Sequence, residues 1–137
     1  MDMELYVTKH VIMRGFLKDI SALADSTIDR AAAMRISELI NKLTGVINMH
    51  LASEDSFVYP KLLEHPDNAI KTITHAYMNE MCGIAARYTE FHTKYKTPSK
   101  ILADVEGFKT AFKMIRDAFI LRMDREEKEL YTFLTEK

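Results

Sequence analysis

The chain has 137 residues, a formal net charge of −1 and 47% hydrophobic residues, which describes one domain able to bury a core and no charge surplus that would attract nucleic acid or an anionic membrane surface. No uninterrupted apolar run approaches the ~20 residues that span a bilayer, and the opening "MDMELYVTKH" carries acids and no apolar segment, so neither a membrane span nor a secretory signal is expected. A single cysteine, Cys82, rules out an internal disulfide and fits a reducing compartment, so a cytoplasmic location is expected.

With four glycines and three prolines the chain has few helix breakers, and its apolar residues recur with a period near 3.6. The first predicted helix, 3–24, puts His10, Met13, Leu17 and Ile20 on one stripe, and "DST" at 25–27 ends it and offers caps for the next. The second, 28–64, carries Ile36, Ile40, Leu43, Ile47, His50, Glu54 and Phe57 at steps of three or four. Pro60 is expected to kink or weaken its last turn, and "EHPDN" at 64–68 reads as a turn. The third, 69–95, has a broader face with Ile73, Tyr77, Met81, Ile84, Tyr88 and Phe91. "KTPSK" at 96–100 separates it from the fourth, with Thr97 or Ser99 as the cap. The fourth, 99–135, is the most regular: Ile101, Val105, Phe108, Phe112, Ile115, Phe119, Arg122, Glu126, Leu130 and Phe133. Four long helices with short connections predict an all-α, antiparallel up-down-up-down four-helix bundle, a single domain over 1–137.

Two of these stripes are interrupted by charge. His50 and Glu54 on the second helix, and Arg122 and Glu126 on the fourth, are each four residues apart, about one helical turn, so the members of a pair face the same way. The segments 50–62 and 122–134 echo each other: a polar residue, then Glu and an acidic neighbour, then an aromatic–aliphatic end. His10 adds an imidazole on the inner stripe of the first helix. Two inward carboxylates among imidazoles are costly without a cation. A metal ion can supply it, since imidazole and carboxylate suit iron, manganese or zinc. So can Arg122, whose guanidinium would pair Glu54, Glu126 or both in bidentate fashion.

The other polar candidates are weaker. His75 lies off the centre of its apolar face, near Met78, Cys82 and Ala86, at the edge of the interior or outside it. His65 sits at a helix end, where the dipole favours it, and His92 precedes a Lys-rich end and reads as solvated. Cys82 reads as a small buried residue, and Met13, Met49, Met78 and Met123 as core fillers. Tyr77, Tyr88 and Tyr95 read as core or interface edge.

The order of a histidine (His10), His-x3-Glu (His50, Glu54), a histidine (His75) and x-x3-Glu (Glu126) resembles the hemerythrin-like, or HHE cation-binding, family over nearly the whole chain. "HLASEDSFVYPKL" and "REEKELYTFL" are similar to its second- and fourth-helix signatures. The resemblance implies a four-helix bundle holding non-haem iron, commonly two ions, in oxygen binding or sensing, iron storage or sensing, nitric oxide response, or repair of iron centres. Carried over residue by residue, it makes His10 and His50 terminal ligands of one iron, Glu54 and Glu126 bridging carboxylates, and His75 a ligand of the other iron. Two further family histidines are replaced, by Asn79 (beside Glu80) and by Arg122. A guanidinium fixed beside two bridged cations would repel the second ion, so one metal is expected, with Arg122 in the second metal's place. The expected function is metal binding, iron first and zinc or manganese next, with sensing or binding of oxygen, nitric oxide or the metal itself. The alternatives are a metal-free bundle with a buried Arg–Glu network acting through protein contacts, as in a homodimer, and a non-haem oxidase- or peroxidase-type enzyme, for which no distinctive proton donor stands out.

Overall fold

A computed structural model of the chain describes residues 3–135. It is all-α, with no strand among the described residues. Helix α1 is Met3–Ala24 and α2 is Arg30–Ser53; a π-helical turn, Glu54–Val58, joins α2 to α3, Tyr59–Leu63. Helix α4 is Asn68–Tyr95, α5 is Pro98–Ala103, α6 is Val105–Lys128, and a 3-10 segment follows at Leu130–Thr135.

Side-chain caps set most of the helix starts. Asp29, rather than the earlier "DST", accepts from the Ala32 amide at 2.8 Å and starts α2. Asp67 does the same for α4 through Ala69, and Thr97 for α5 through Lys100. The fourth predicted helix is broken: Asp104 leaves helical geometry, ends α5 and caps α6 through the Gly107 amide. A Cβ at Gly107 would run into the Asp104 carboxylate as it is placed, so a larger residue there would have to displace the capping side chain.

Helix α1 packs on α2 and α6, and α4 packs on α6, α2 and α3. Two apolar clusters result. The larger holds Met13, Leu17, Ile20, Ile36, Ile40, Leu43, Ile47, Ile84, Phe91, Phe108, Phe112 and Phe119. The smaller holds Tyr6, Val58, Tyr59, Leu62, Ile70, Tyr77, Leu130, Tyr131 and Leu134. Along α1, α2 and α6 the buried polar residues His10, His50, Glu54, Arg122 and Glu126 fall between the stretches that supply the two clusters.

The apolar stripes depart from their expected course in three places. At the π turn the Tyr59 amide bonds the Glu54 carbonyl five residues back. Pro60 has no amide to donate, and its ring crowds the carbonyl four residues before it, which a wider turn relieves. The extra residue turns Phe57 outward, to 58% exposure, and brings Val58, Tyr59 and Leu62 inward. On α4 the buried position is Thr74 rather than Ile73; its hydroxyl bonds the Ile70 carbonyl at 2.8 Å, which makes burial tolerable. After α6 the tighter 3-10 winding buries Tyr131 and Leu134 and leaves Phe133 only partly covered. Cys82 and Met49, expected in the core, are exposed.

Candidate metal centre

Three of the expected residues meet: His10 on α1, His50 on α2 and Glu126 on α6 bring ligand atoms within 4.8 Å of one another, and Glu54, at the start of the π turn, stands beside His50; all four are buried. The Nε2 atoms of His10 and His50 point at each other across 3.2 Å. Glu126 Oε1 lies 3.0 Å from His10 Nε2. His50 Nε2 lies 3.1 Å from Glu54 Oε1, but at an angle that makes no hydrogen bond, so this buried oxygen has no donor. A cavity of about 10 Å³, roughly the room of one small atom, lies between these polar residues and the apolar side chains of Met13, Leu51, Met81, Phe119 and Met123.

The orientation of His10 is fixed from outside. Its Nδ1 is 2.9 Å from Glu127 Oε2, and Arg14 holds that same oxygen at 2.6 Å while also bonding Asp124. With Nδ1–H donating to Glu127, neutral His10 turns the Nε2 lone pair toward His50 and Glu126, the arrangement that metal-binding histidines use. Burial works against a charged His10, yet the Glu126 and Glu127 carboxylates outweigh it and raise its pKa. Burial and the neighbouring Glu126 charge push Glu54 upward as well. Glu126 goes the other way: burial opposes its charge, but the His10 hydrogen bond and the Arg122 charge hold its pKa down. Without a cation the cluster therefore favours the protonated forms of Glu54 and His10 more than solvent would.

Arg122 is inside, 2% exposed. Its Nε donates to Glu126 Oε2 at 2.9 Å, Nη1 to the Tyr77 carbonyl at 2.8 Å and to Glu80 at 3.2 Å, and Nη2 to the Tyr59 hydroxyl at 3.0 Å. The guanidinium also lies over the Tyr77 ring at 4.6 Å. It pairs one oxygen of Glu126 rather than gripping a carboxylate in bidentate fashion, and Glu54 is not among its hydrogen-bond partners. Glu80, flagged in sequence only as the neighbour of Asn79, shares its carboxylate between Arg122 and Arg125.

His75 does not join the cluster. It is exposed on α4, because Thr74 and Tyr77 take the inward positions of that turn. Asn79 is exposed too. His65 accepts the Asp67 amide near the α4 start, and His92 bonds Asn41 between α4 and α2, so both serve local structure.

The residues with matching family pattern thus bring two imidazoles and a carboxylate to one point, their ligand atoms within 4.8 Å of one another. The model of the hemerythrin HHE cation-binding domain matches residues 1–134. The chain belongs to the hemerythrin HHE cation-binding family. No curated protein and no solved structure matches it. For an HHE domain the donor chemistry fits a metal ion on two observations: converging Nε2 atoms and a carboxylate oxygen without a donor.

Sequence reasoning missed two partners. Glu127 was passed over because it neighbours Glu126 and so leaves the inner stripe, yet its carboxylate reaches His10 from the side. Tyr131 falls off the α-helical stripe and is turned inward by the 3-10 segment; its hydroxyl stands within 3.4 Å of His10, His50, Glu54 and Glu126. The only hint in the sequence was a tyrosine inside the "REEKELYTFL" signature. Beside the centre, a cleft of about 240 Å³ is lined by Leu5, Tyr6, Ile12, Val46, Met49 and His50, which brings the molecular surface to the His50 ring.

Proposed function

We propose that this HHE domain binds one metal ion, iron by preference, at His10, His50, Glu54 and Glu126, and senses or binds a small diatomic ligand or the metal itself. The observation that carries the reading is the convergence of His10 Nε2, His50 Nε2 and Glu126 Oε1, with His10 held in register by Glu127. Imidazole and carboxylate donors accept iron, manganese or zinc. When bound, the ion would supply a Lewis-acidic centre. The cleft at His50 supports access by a molecule as small as oxygen or nitric oxide. Arg122 supports a single ion: its fixed charge stands 2.9 Å from the Glu126 oxygen that a second metal would use.

The proposal takes the four long helical segments to run up-down-up-down as one domain over 1–137. Among the described residues no helix is long and apolar enough to cross a membrane, and the exposed Cys82 thiol supports a reducing, cytoplasmic setting. The Arg122 network by itself would suit a metal-free bundle acting through protein contacts, and metal content separates the two readings. Protein produced in iron-supplemented medium should hold one iron per chain by elemental analysis. Two ions per chain would refute the single site, and none under any metal supplied would refute the metal reading.

A further inference from the structure

The hydroxyl of Tyr131 sits at the middle of the donor cluster, not at its rim. It is 3.0 Å from Glu54 Oε2, 3.1 Å from Glu126 Oε1, 3.1 Å from His10 Nε2 and 3.4 Å from His50 Nε2. A phenol has one proton and can donate it to one of these atoms. The Glu127 hydrogen bond directs a lone pair, not a proton, from neutral His10 toward the centre. In the absence of a cation, most of these approaches bring one electron-rich atom against another unless extra protons are taken up.

The spacing has a second reading. Donor atoms about 2.1 Å from an ion lie roughly 3.4 Å apart on a tetrahedron and roughly 3.0 Å apart on an octahedron. The separations of Tyr131 Oη from the four other donors, and those of His10 Nε2 from His50 and Glu126, all run from 3.0 to 3.4 Å. Tyr131 is 0% exposed, and its ring packs on His10 at 5.4 Å and on Tyr6 at 5.5 Å between centroids, so the hydroxyl has nowhere else to point.

We propose that Tyr131 is a ligand of the metal, bound through its phenolate oxygen beside His10, His50, Glu54 and Glu126. This rests on the metal-binding reading above. On binding, the phenol O–H bond breaks, the oxygen–metal bond forms, and the proton leaves to water, as protons do when metals displace them from donor atoms. A hard anionic oxygen added to imidazole and carboxylate selects for a hard, highly charged ion, which favours ferric iron over zinc. It also places the last described segment of the chain, Leu130–Thr135, in direct contact with the metal.

The test uses the whole chain loaded with ferrous iron and oxidised with ferricyanide. Iron content is measured alongside the visible spectrum and resonance Raman scattering of protein carrying ring-deuterated tyrosine. The expected result is a visible phenolate-to-iron band whose vibrations shift with the label. Tyr131→Phe, which keeps the ring, should lose that band and hold iron about 10–100-fold more weakly, at least the loss caused by removing an outer partner. Tyr6→Phe and Tyr59→Phe should keep the band, and they carry the assignment by elimination should the Tyr131 variant fail to fold. Iron bound with no tyrosine-derived band overturns the proposal and leaves the metal site standing. A band that survives in Tyr131→Phe also overturns it. Absence of bound metal in the unaltered protein overturns both.

Discussion

Replacing Arg122 with methionine removes a buried cation while keeping an unbranched side chain of similar reach. The structure sets the size of the effect in metal-free protein. The guanidinium makes hydrogen bonds to Glu126, the Tyr77 carbonyl, Glu80 and Tyr59, at 2.8 to 3.2 Å. Its loss leaves Glu126 buried at 2% exposure with its Oε2 uncompensated, and the Tyr77 carbonyl without that donor. Breaking a buried ion pair from one side costs about 3–5 kcal/mol. Glu126 keeps His10 and Tyr131 as partners, which holds the estimate near the middle of that range, about 4 kcal/mol. For a domain of 137 residues that lowers the melting midpoint by about 10–15 °C. The assay is urea unfolding of chelator-treated protein followed by circular dichroism, with the slope expected to stay unchanged so that the midpoint alone carries the difference. A loss below about 1 kcal/mol, the scale of an exposed ion pair, would refute the claim that Arg122 compensates the charge of Glu126.

Three further outcomes are expected. Arg122→His removes the fixed charge and offers an imidazole in its place, so elemental analysis should show more metal per chain; unchanged stoichiometry would mean that the arginine does not control the second position. Glu127→Ala frees His10 Nδ1 from its fixing partner at 2.9 Å, and competition with a chelator should show metal affinity falling about 10–100-fold, with an unchanged affinity counting against the role assigned to Glu127. The third outcome concerns pH. The folded pKa values of Glu54 and His10 are raised above their ordinary values, so in metal-free protein their contribution is present at low pH and is lost as pH rises through the raised values. Glu126 and Glu80 are held below theirs, so their contribution is present above the ordinary glutamate range and is lost as pH falls through the lowered values. Urea midpoints of the metal-free protein should therefore fall at both ends of the pH range. Added metal should restore the alkaline side more than the acid side, because protons compete for the same donors; equal restoration at both ends would contradict it.

The helices and the polar layer were legible in the sequence because both obey a period of 3.6 over long, uninterrupted stretches. His10, His50, Glu54, Arg122 and Glu126 fall on stripes whose other members are aliphatic or aromatic, and all five are buried. What escaped lies where the winding changes or where a side chain reaches sideways. An α-helical count puts Phe57 and Phe133 inward, but a wider turn contains the first and a tighter segment carries the second. That tighter segment also delivers Tyr131. Glu127 and Arg14 approach His10 from the margin of the stripe, and no count of one helix's inner face can reveal a contact between two margins. His75 was drawn in by family order, while the local packing of Thr74 and Tyr77 turns it to the outside.

The π turn at Glu54–Val58 has a consequence for how this chain tolerates change in length. A π turn holds one residue more than the α-helix on either side needs, so α2 and α3 each keep their own inner face across it. Removing a single residue among 55–57 would let the segment close toward ordinary α-helix without rotating the core residues on either flank, but it would press the Pro60 ring against the carbonyl four residues before it. Adding one has no such outlet and would turn Tyr59 and Leu62 away from the interior. Deletions and insertions at the same point should therefore differ in kind, the former straining the backbone at Pro60 and altering how Glu54 is presented, the latter disrupting the smaller apolar cluster.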